Sequence, residues 1–397
     1  MIVGITNTPR DYAWGSHGAI SALLGRPATD AVEAELWLGA HHGSPARLTD
    51  PHLTGGSADL VQWIVDDPET ALGAGRDRLP FLLKVLAADS PLSLQAHPTA
   101  AQAAEGFARE NAAGVPLDAP ERNYKDPYPK PELILAVSER FGALCGFRSA
   151  EQSHDALERL LALGPAQDQR ARDGIRLLID RLGGDDSLRS VVEWLLTRGE
   201  GVADAVDAVS RIARNHPDEF GTQAVLAERY PGDPGILVSL LLHEVTLAAG
   251  QAIFLPAGNI HAYVYGVGIE LMEASDNVLR GGLTPKHIDV PELLAVLDTT
   301  PHGVPWLMPE IPVPDVRIFR PDGVGFELID LDGDAPVPLG GPAIVLCLSG
   351  SFDVAGRTTS VRVERGDALY VTPDEADLAV SGSGRLVIAT TSAVATG

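Results

Sequence analysis

The chain has 397 residues, of which 45% are hydrophobic and 21% charged, so it is long enough for two or three domains around a large core. Its formal net charge of −24 argues against nucleic acid and anionic membranes as partners, because both are negatively charged. We expect a globular protein that binds neither. An anionic substrate would need a local positive pocket to overcome repulsion by the protein's net negative charge.

The first sixteen residues, MIVGITNTPRDYAWGS, have no basic segment followed by a long apolar run, so no signal peptide is predicted. No apolar run reaches the roughly 18 residues that a membrane-spanning helix needs. The two cysteines, Cys145 and Cys347, lie in apolar surroundings and predict reduced core thiols. These features predict a cytoplasmic location.

Residues 1–148 predict mainly β-structure. Short apolar runs bounded by Gly, Pro, Asp or Ser are typical of strands, and they occur here as EAELWLG, LPFLLKVLA, LSLQAHP and ELILAV. The composition of residues 99–112, TAAQAAEGFARENA, instead predicts a helix. We expect a β-framework with helices along its edge.

Residues 150–247 predict a helical segment, because apolar residues recur there at spacings of three and four. Its last predicted helical run is GILVSLLLHEVTL. Ser153, Ser187 and Asp204 are expected N-caps.

Strand signals return in QAIFLPAGNIHAYVYGVGIELMEAS, and residues 303–397 alternate apolar runs with turns, which predicts a small antiparallel β domain. That domain contains no His or Lys, so we expect the chemistry elsewhere.

The stretch LSLQAHPTA places Gln95 and His97 two residues apart on a predicted strand, where they share one face. A lone His on a strand is more often a core residue than a ligand. However, Glu132 heads the apolar strand ELILAV, and His261 follows a Pro-Ala-Gly turn. Two imidazoles, a carboxylate and an amide oxygen suit a divalent transition metal, with zinc the first choice and other metals possible.

The four lysines are concentrated near these stretches, whereas the other 26 of the 30 basic residues are arginines. Lys84 lies in the strand before Gln95, Lys125 and Lys130 precede Glu132, and Lys286 follows His261. Unlike Arg, Lys can exchange protons, so these residues are candidates for proton transfer. A cluster of basic side chains beside a metal would also bind a phosphate group, even on an acidic protein. No Gly-rich phosphate loop is present, which favours a small sugar or acid phosphate over a nucleotide.

Several stretches together resemble the type I mannose-6-phosphate isomerases, also called phosphomannose isomerases. The resemblance covers most of residues 1–150 and 250–290. It rests on YAWGS, AELWLGAHHGSPA, LPFLLKVLAADSPLSLQAHP, NYKDPYPKPELILAV, FGALCGF and IFLPAGNIHAYVYGVGIELMEASDNVLRGGLTPKHID.

This resemblance implies a mainly β protein with a cupin-like catalytic barrel (1–149 and 248–302), a helical insertion (150–247) and a second cupin-like domain without metal ligands (303–397). It implies one zinc ion held by Gln95, His97, Glu132 and His261. It also implies interconversion of mannose 6-phosphate and fructose 6-phosphate through a cis-enediol. We expect a monomer whose partner is a small sugar phosphate.

The resemblance assigns the active-site arginine to Arg280, which would stabilise the enediolate or orient the substrate. The acid–base candidates are Lys130, Glu270 and Asp276, with the identity of the base left open. The candidates for substrate and phosphate contact are Lys84, Ser93, Lys125 and Lys286, with Trp14 and Tyr12 lining the sugar pocket or packing in the core.

One departure from the family concerns Pro129, where many relatives have His, so a mechanism that needs that imidazole cannot operate unchanged. His41 and His42 lie inside a matched stretch without a role that the sequence supports.

Two other functions remain open from the sequence. One is a cupin-type metal-dependent oxygenase, which Gln95 disfavours because such sites commonly begin with a His-x-His pair. The other is a sugar-phosphate-binding cupin protein without catalysis.

Overall fold

The computed structural model describes residues 1–165, 167–183 and 187–392; the other positions fall within the predicted segments 150–247 and 303–397 and lie outside the described residues. The strands of the first 150 described residues are β1 (Ile2–Thr6), β2 (Ser16–His17), β3 (Val32–Glu33), β4 (Glu35–Leu38), β5 (Arg47–Leu48), β6 (Phe81–Ala88), β7 (Leu94–Ala96), β8 (Glu132–Ala136) and β9 (Arg140–Phe147). The later strands are β10 (Leu242–Ala248), β11 (Ala252–Leu255), β12 (His261–Glu273), β13 (Leu279–Gly282), β14 (Trp306–Leu307), β15 (Val316–Phe319), β16 (Phe326–Leu331), β17 (Ala335–Val337), β18 (Ala343–Ala355), β19 (Ser360–Glu364), β20 (Ala368–Val371) and β21 (Leu378–Thr391).

The helices concentrate between the two sets of strands. They are α1 (Ala19–Leu23), α2 (Leu60–Asp66), α3 (Pro68–Leu72), α4 (Ala100–Ala112), α5 (Ala150–Leu163), α6 (Gln169–Gly183), α7 (Leu188–Leu196), α8 (Val202–Asn215), α9 (Pro217–Arg229), α10 (Gly235–Ser239) and α11 (Val290–Val296), with 3₁₀ turns at Pro51–Thr54 and Pro373–Glu375. The β, α, β order expected from sequence is therefore confirmed as an order of elements. No helix of the described ranges combines the length and hydropathy needed to cross a membrane.

The first sheet has ten strands and is organised around the long strand β12, which pairs antiparallel with β6, β7, β8 and β9. The register sets His261 opposite Gln95, Glu270 opposite Lys84, and Met272 opposite Glu132. Strand β7 is shorter than predicted, so Ser93 and Leu92 precede it. Leu94 and Ala96 pack into the helical core, whereas Gln95 is half-buried on the opposite face.

The second sheet has nine strands and combines β15–β21 with two strands from the N-terminal part of the chain. Strand β1 pairs with β20, setting Ile2 opposite Val371, and β5 pairs with β1. This pairing was not predicted, because residues 1–149 were expected to fold wholly with residues 248–302. Among the described residues, both hydrogen-bonded strand orders are open paths, so a closed barrel is not observed.

One apolar core lies between the two sheets. It joins Leu83 of β6 and Leu271 of β12 to Leu328 of β16 and Leu346 of β18, all fully buried. Burial of such side chains stabilises the fold by about 1.5–3 kcal/mol each. The sheets are thereby held as one packed body, although their strands pair separately.

The helical layer corrects three details of the sequence prediction. Ser187 caps α7 as expected, but Ser153 lies inside α5, whose N-cap is Ser149, and Asp204 lies in the first turn of α8 after Gly201. The run GILVSLLLHEVTL divides into α10 and the strand β10, which pairs with β9. Buried and exposed side chains alternate along β10, so its apolar residues follow the two-residue repeat of a strand rather than the repeat of a helix.

Candidate active site

Three strand ends bring together a buried cluster of two histidines and a glutamate. His97 follows β7, Glu132 begins β8, and His261 begins β12. His261 Nε2 lies 2.9 Å from Glu132 Oε1, and His97 Nε2 lies 3.4 Å from Glu132 Oε2. All three side chains are almost inaccessible to solvent, and their ligand atoms lie within 4.8 Å of one another.

Backbone carbonyls fix the orientation of both imidazoles. His97 Nδ1 lies 2.8 Å from the Asn277 carbonyl oxygen, and His261 Nδ1 lies 3.0 Å from that of Asn259. Since a carbonyl only accepts, each Nδ1 carries its proton and each Nε2 directs a lone pair into the cluster. His261 Nε2 forms no hydrogen bond although Glu132 Oε1 is close. Two acceptors at this distance repel each other, and a metal ion bound between them would remove that repulsion.

The electrostatics keep Glu132 ionised and His97 neutral. Burial alone would raise the pKa of Glu132, but Lys130 and the two histidines lower it well below its ordinary value. Burial, reinforced by the positive charge of Lys130, lowers the pKa of His97 to about 4. Lys130 Nζ lies 2.8 Å from Glu132 Oε2 and 3.3 Å from His97 Nε2. A neutral imidazole beside a carboxylate is the ligand state that transition metals bind.

The donor set therefore fits a divalent metal. Two imidazole nitrogens and a carboxylate oxygen match the ligand types of zinc sites that keep an open coordination position. Gln95 lies opposite His261 in the strand pairing and borders the adjoining cavity, where its amide is the fourth predicted ligand. Tyr263 donates a hydrogen bond of 3.3 Å to Glu132 Oε1 and supports that carboxylate from outside the cluster.

A cavity of about 850 Å³ adjoins the cluster. Gln95 and Lys130 belong to its wall, and Lys130 reaches from there to Glu132 and His97. Of the predicted site residues, this wall also includes Tyr12, Trp14, Lys84, Ser93, Lys125, Glu270, Asp276, Arg280 and Lys286. The structure thus brings together residues predicted from four separated stretches of the sequence.

One side of the cavity holds a buried ion-pair network. Lys84 Nζ lies 2.9 Å from Glu270 Oε2 and 3.5 Å from Glu35 Oε1. Burial disfavours the charge on Lys84, but Glu270 and Glu35 outweigh it and raise the pKa of Lys84 above its ordinary value. Burial and the neighbouring carboxylates Glu132 and Glu35 raise the pKa of Glu270 against the opposing effect of Lys84. Lys84 also lies 5.0 Å from the ring centre of Trp37.

Another part of the wall carries cations without anionic partners. Within residues 1–165, 167–183 and 187–392, the side chains of Arg229, Arg280 and Lys286 form no ion pair or hydrogen bond. Burial and the nearby Arg280 lower the pKa of Lys286. Lys125 differs, because its Nζ donates to the backbone carbonyl of Leu117 at 2.6 Å. The unpaired cations provide an anion-binding wall within an acidic protein.

A second polar cluster, which we call the His-Asp cluster, consists of His41, His42 and Asp276. His41 Nε2 lies 3.3 Å from Asp276 Oδ1, and His42 Nε2 lies 3.6 Å from Asp276 Oδ2. All three line the cavity. Burial would raise the pKa of Asp276, but the hydrogen bond from His41 and the nearby His42 and Lys130 lower it.

Comparison with known proteins connects this site to one family. The family model described as phosphomannose isomerase type I, catalytic domain, matches residues 2–150. Mannose-6-phosphate isomerase of Escherichia coli (strain K12) is 34% identical over 393 residues, covering 96% of this chain and 97% of the relative. The enzyme of that name from Homo sapiens is 30% identical over 410 residues, covering 92% of each.

The chain belongs to the type I phosphomannose isomerase family.

Solved structures show that the similarity extends over both sheets and the helices. A lysine-to-alanine mutant of phosphomannose isomerase from Salmonella typhimurium has a TM-score of 0.87 at 33% identity, covering 98% of this chain and 99% of that one. A zinc-bound mannose 6-phosphate isomerase has a TM-score of 0.86 at 34% identity with the same coverage. The resemblance inferred from sequence motifs is confirmed at the level of the family.

Sequence reasoning missed several residues of this phosphomannose isomerase family site. Glu35 and Trp37 lie within the matched stretch AELWLGAHHGSPA, and the His-His pair beside them was a visible signal that went unused. Arg229 lies at the end of α9, in the helical segment, where nothing in its surroundings distinguishes it from a surface arginine. Contacts across distant segments, rather than local pattern, identify these residues.

Proposed function

We propose that this chain is a zinc-dependent isomerase that interconverts mannose 6-phosphate and fructose 6-phosphate through a cis-enediol. The observation that carries the proposal is the buried His97–Glu132–His261 cluster beside a cavity with unpaired cations. The fourth predicted ligand, Gln95, and the neighbouring Lys130 line the cavity, which supports a catalytic metal more than a purely structural one. Unpaired Arg280 and Lys286 match the charge of a phosphate ester.

The metal ligands in this proposal are Gln95, His97, Glu132 and His261. A bound zinc ion would act as a Lewis acid toward the substrate's carbonyl and hydroxyl oxygens, where negative charge develops during enolisation. Lys130 lies close to both Glu132 and His97, so its ammonium is placed to donate to the same oxygens and to exchange protons with them.

Isomerisation moves a proton from C2 to C1 of the open-chain sugar. We assign the proton transfers to Lys130 and Asp276, whose side chains line the cavity. The lowered pKa of Asp276 keeps its carboxylate ionised. Arg280 would stabilise the enediolate with a fixed positive charge. Glu270 was predicted as a base, but its ion pair with Lys84 supports an indirect role, in which it keeps Lys84 charged for contact with substrate hydroxyls.

The phosphate group would bind to Lys286 and Arg229, close to Arg280. A dianionic phosphate gains most from cations that have no other partner, because no existing ion pair must be broken. Lys125 is already bound to backbone carbonyls and is a weaker candidate. Trp14, Tyr12 and Ser93 would contact the sugar, since Trp14 and Tyr12 stack with ring centres 5.8 Å apart at the cavity wall.

We also propose that the two open sheets are cupin-like units, joined by the helical insertion at 150–247, and that the protein acts as a cytoplasmic monomer. The expected domain bounds of 1–149 with 248–302 and 303–397 remain predictions. Strands β1 and β5 pair within the second sheet, so a unit defined by strand pairing includes part of the N-terminal segment. Neither an oxygenase nor a non-catalytic binding protein is favoured by any observed contact.

The direct test measures fructose 6-phosphate formation from mannose 6-phosphate under anaerobic conditions. We expect turnover by zinc-loaded protein, loss of activity with a chelator, and recovery when zinc is restored. Anaerobic turnover without redox change would exclude an oxygenase as the main activity. Absence of turnover in fully metal-loaded protein would contradict the proposed function.

A further inference from the structure

The His-Asp cluster connects the cavity with the exterior of the protein. We propose that Asp276 and His42 form a proton relay between the bound substrate and bulk water, with His41 as the positioning residue for Asp276. The inference rests on the proposed isomerase function and assigns a role to two histidines that the sequence alone left without one.

His41 has a fixed ring and a defined proton position. The backbone N–H of Gly43 donates a hydrogen bond of 3.1 Å to His41 Nδ1, so this nitrogen is an acceptor and the ring proton is on Nε2. His41 Nε2 therefore donates toward Asp276 Oδ1 at 3.3 Å. The ring is buried and packs edge-on against Trp37 at 4.8 Å. His41 thus holds one carboxylate oxygen in place.

Asp276 is anchored from a second direction as well. Its backbone N–H donates a hydrogen bond of 2.8 Å to Asp126 Oδ2, which fixes the main chain at this position. Its side chain is 34% exposed and borders the cavity. With Oδ1 occupied by His41, Oδ2 is the oxygen left to accept a proton. The lowered pKa of Asp276 keeps this oxygen ionised and makes the protonated acid release its proton readily.

His42 is the exposed member of the cluster. Its ring stacks on His41 with centres 4.5 Å apart, and its side chain is 80% exposed. Its Nε2 lies 3.6 Å from Asp276 Oδ2, a gap that a small rotation of an exposed side chain closes. Imidazole is the side chain that exchanges protons with water near neutral pH. His42 therefore links an oxygen in the cavity to bulk solvent.

The relay conserves protons and charge at each step. Asp276 Oδ2 takes the proton from C2 of the substrate, leaving the enediolate and a neutral carboxylic acid. That acid either returns the proton to C1 or passes it to the unprotonated Nε2 of His42. The resulting imidazolium releases its Nδ1 proton to water, and the reverse sequence delivers a solvent proton. The partition between return and exchange is set by His42.

The test follows deuterium from mannose 6-phosphate labelled at C2 into fructose 6-phosphate formed in ordinary water. We expect the wild-type product to lose part of the label to solvent. We expect His42→Asn to retain a larger share of deuterium at C1, because the exit to water is removed while Asp276 stays in place. His52→Asn changes an exposed histidine outside the cavity and is the matched control.

Each outcome decides the proposal. Complete label retention by wild-type protein, or equal retention in wild type and His42→Asn, overturns the relay while leaving the isomerase function standing. Wild-type protein that does not convert the substrate contradicts the isomerase function and the relay with it. Two metal ions per chain in wild type and one in His42→Asn would assign the His-Asp cluster to a second metal and also overturn the relay.

Discussion

Glu132 shows how one residue determines the chemistry of the site. Its carboxylate is completely buried, and an unpaired buried charge costs several kcal/mol. Lys130, His97 and His261 surround it and lower its pKa. The arrangement satisfies the negative charge but leaves His261 Nε2 without a hydrogen bond. A bound metal ion would give His261 Nε2 the partner that it lacks.

Replacement of a ligand should remove metal and activity together. We predict that His97→Ala lowers kcat/KM by about 100-fold or more, because metal chemistry contributes several kcal/mol to the reaction. Metal analysis of the purified variant should show a matching loss of bound metal. His52→Ala, outside the site, should retain both. Full activity of His97→Ala without metal would refute the assigned ligand set.

Lys286 is predicted to recognise the phosphate by position as well as by charge. Lys286→Arg keeps the charge but moves the donors, so we predict that KM for mannose 6-phosphate rises by roughly tenfold, since a hydrogen bond to a charged group contributes about 1.5 kcal/mol. Steady-state kinetics at fixed ionic strength measure this change. An unchanged KM in Lys286→Arg, with an increase only in Lys286→Met, would show that the charge alone is required.

At the scale of elements, capping decides where the helices begin. The segment Ser149–Gln152 forms a capping box, with the Ser149 side chain accepting from the Gln152 backbone and the Gln152 side chain accepting in return from the Ser149 backbone. The Ser-x-x-Gln spacing was visible in the sequence. The predicted start at Ser153 is wrong, because the apolar period that suggested it begins one turn inside α5. The side-chain hydrogen bonds, rather than the apolar pattern, mark the first turn.

Loss of this cap should be measurable. We predict that Ser149→Ala lowers the free energy of unfolding by about 1 kcal/mol, because the first-turn N–H of Gln152 loses its acceptor. Chemical denaturation monitored by circular dichroism provides the measurement. Ser153→Ala is the comparison variant, since Ser153 lies inside α5 and should affect unfolding less. An equal or larger loss at Ser153 would contradict the observed helix start.

At the scale of the whole molecule, an acidic protein presents a cationic wall to its substrate. The net charge of −24 opposes the approach of a sugar phosphate. Arg229, Arg280 and Lys286 line the cavity without carboxylate partners among the described residues, and we propose that they attract the phosphate there. The proposed metal ligands lie in, or directly after, three strands of one sheet, β7, β8 and β12. Metal binding should therefore stabilise the packing of that sheet as a unit.

Metal removal is predicted to lower thermal stability as well as activity. A ligand that binds only the folded state stabilises it by about 2.7 kcal/mol when its free concentration is about 100 times Kd. We expect the Tm to fall on chelation and to recover when zinc is added, with scanning calorimetry as the measurement. His97→Ala should show little response to either treatment. Identical Tm values with and without metal in wild-type protein would contradict a site formed by folding.

Local strand geometry explains the features that were predictable without the fold. The spacing of Gln95 to His97 predicted one shared direction, and Gln95 does face the cavity while Leu94 and Ala96 enter the core. The position of Glu132 at the head of a buried strand was also predicted correctly. Such features depend on side-chain alternation within a few residues, which the strand backbone imposes wherever the strand is placed.

The contacts between distant segments became visible only in the folded chain. It paired β1 with β20, set Lys84 opposite Glu270 across β6 and β12, and brought His41 and His42 to Asp276. No local pattern encodes these contacts, because they follow from the register of long antiparallel strands and from the core shared by the two sheets. The family, the helix at 99–112 and the metal ligand candidates were accessible from the sequence, whereas the partners of each charge required the fold.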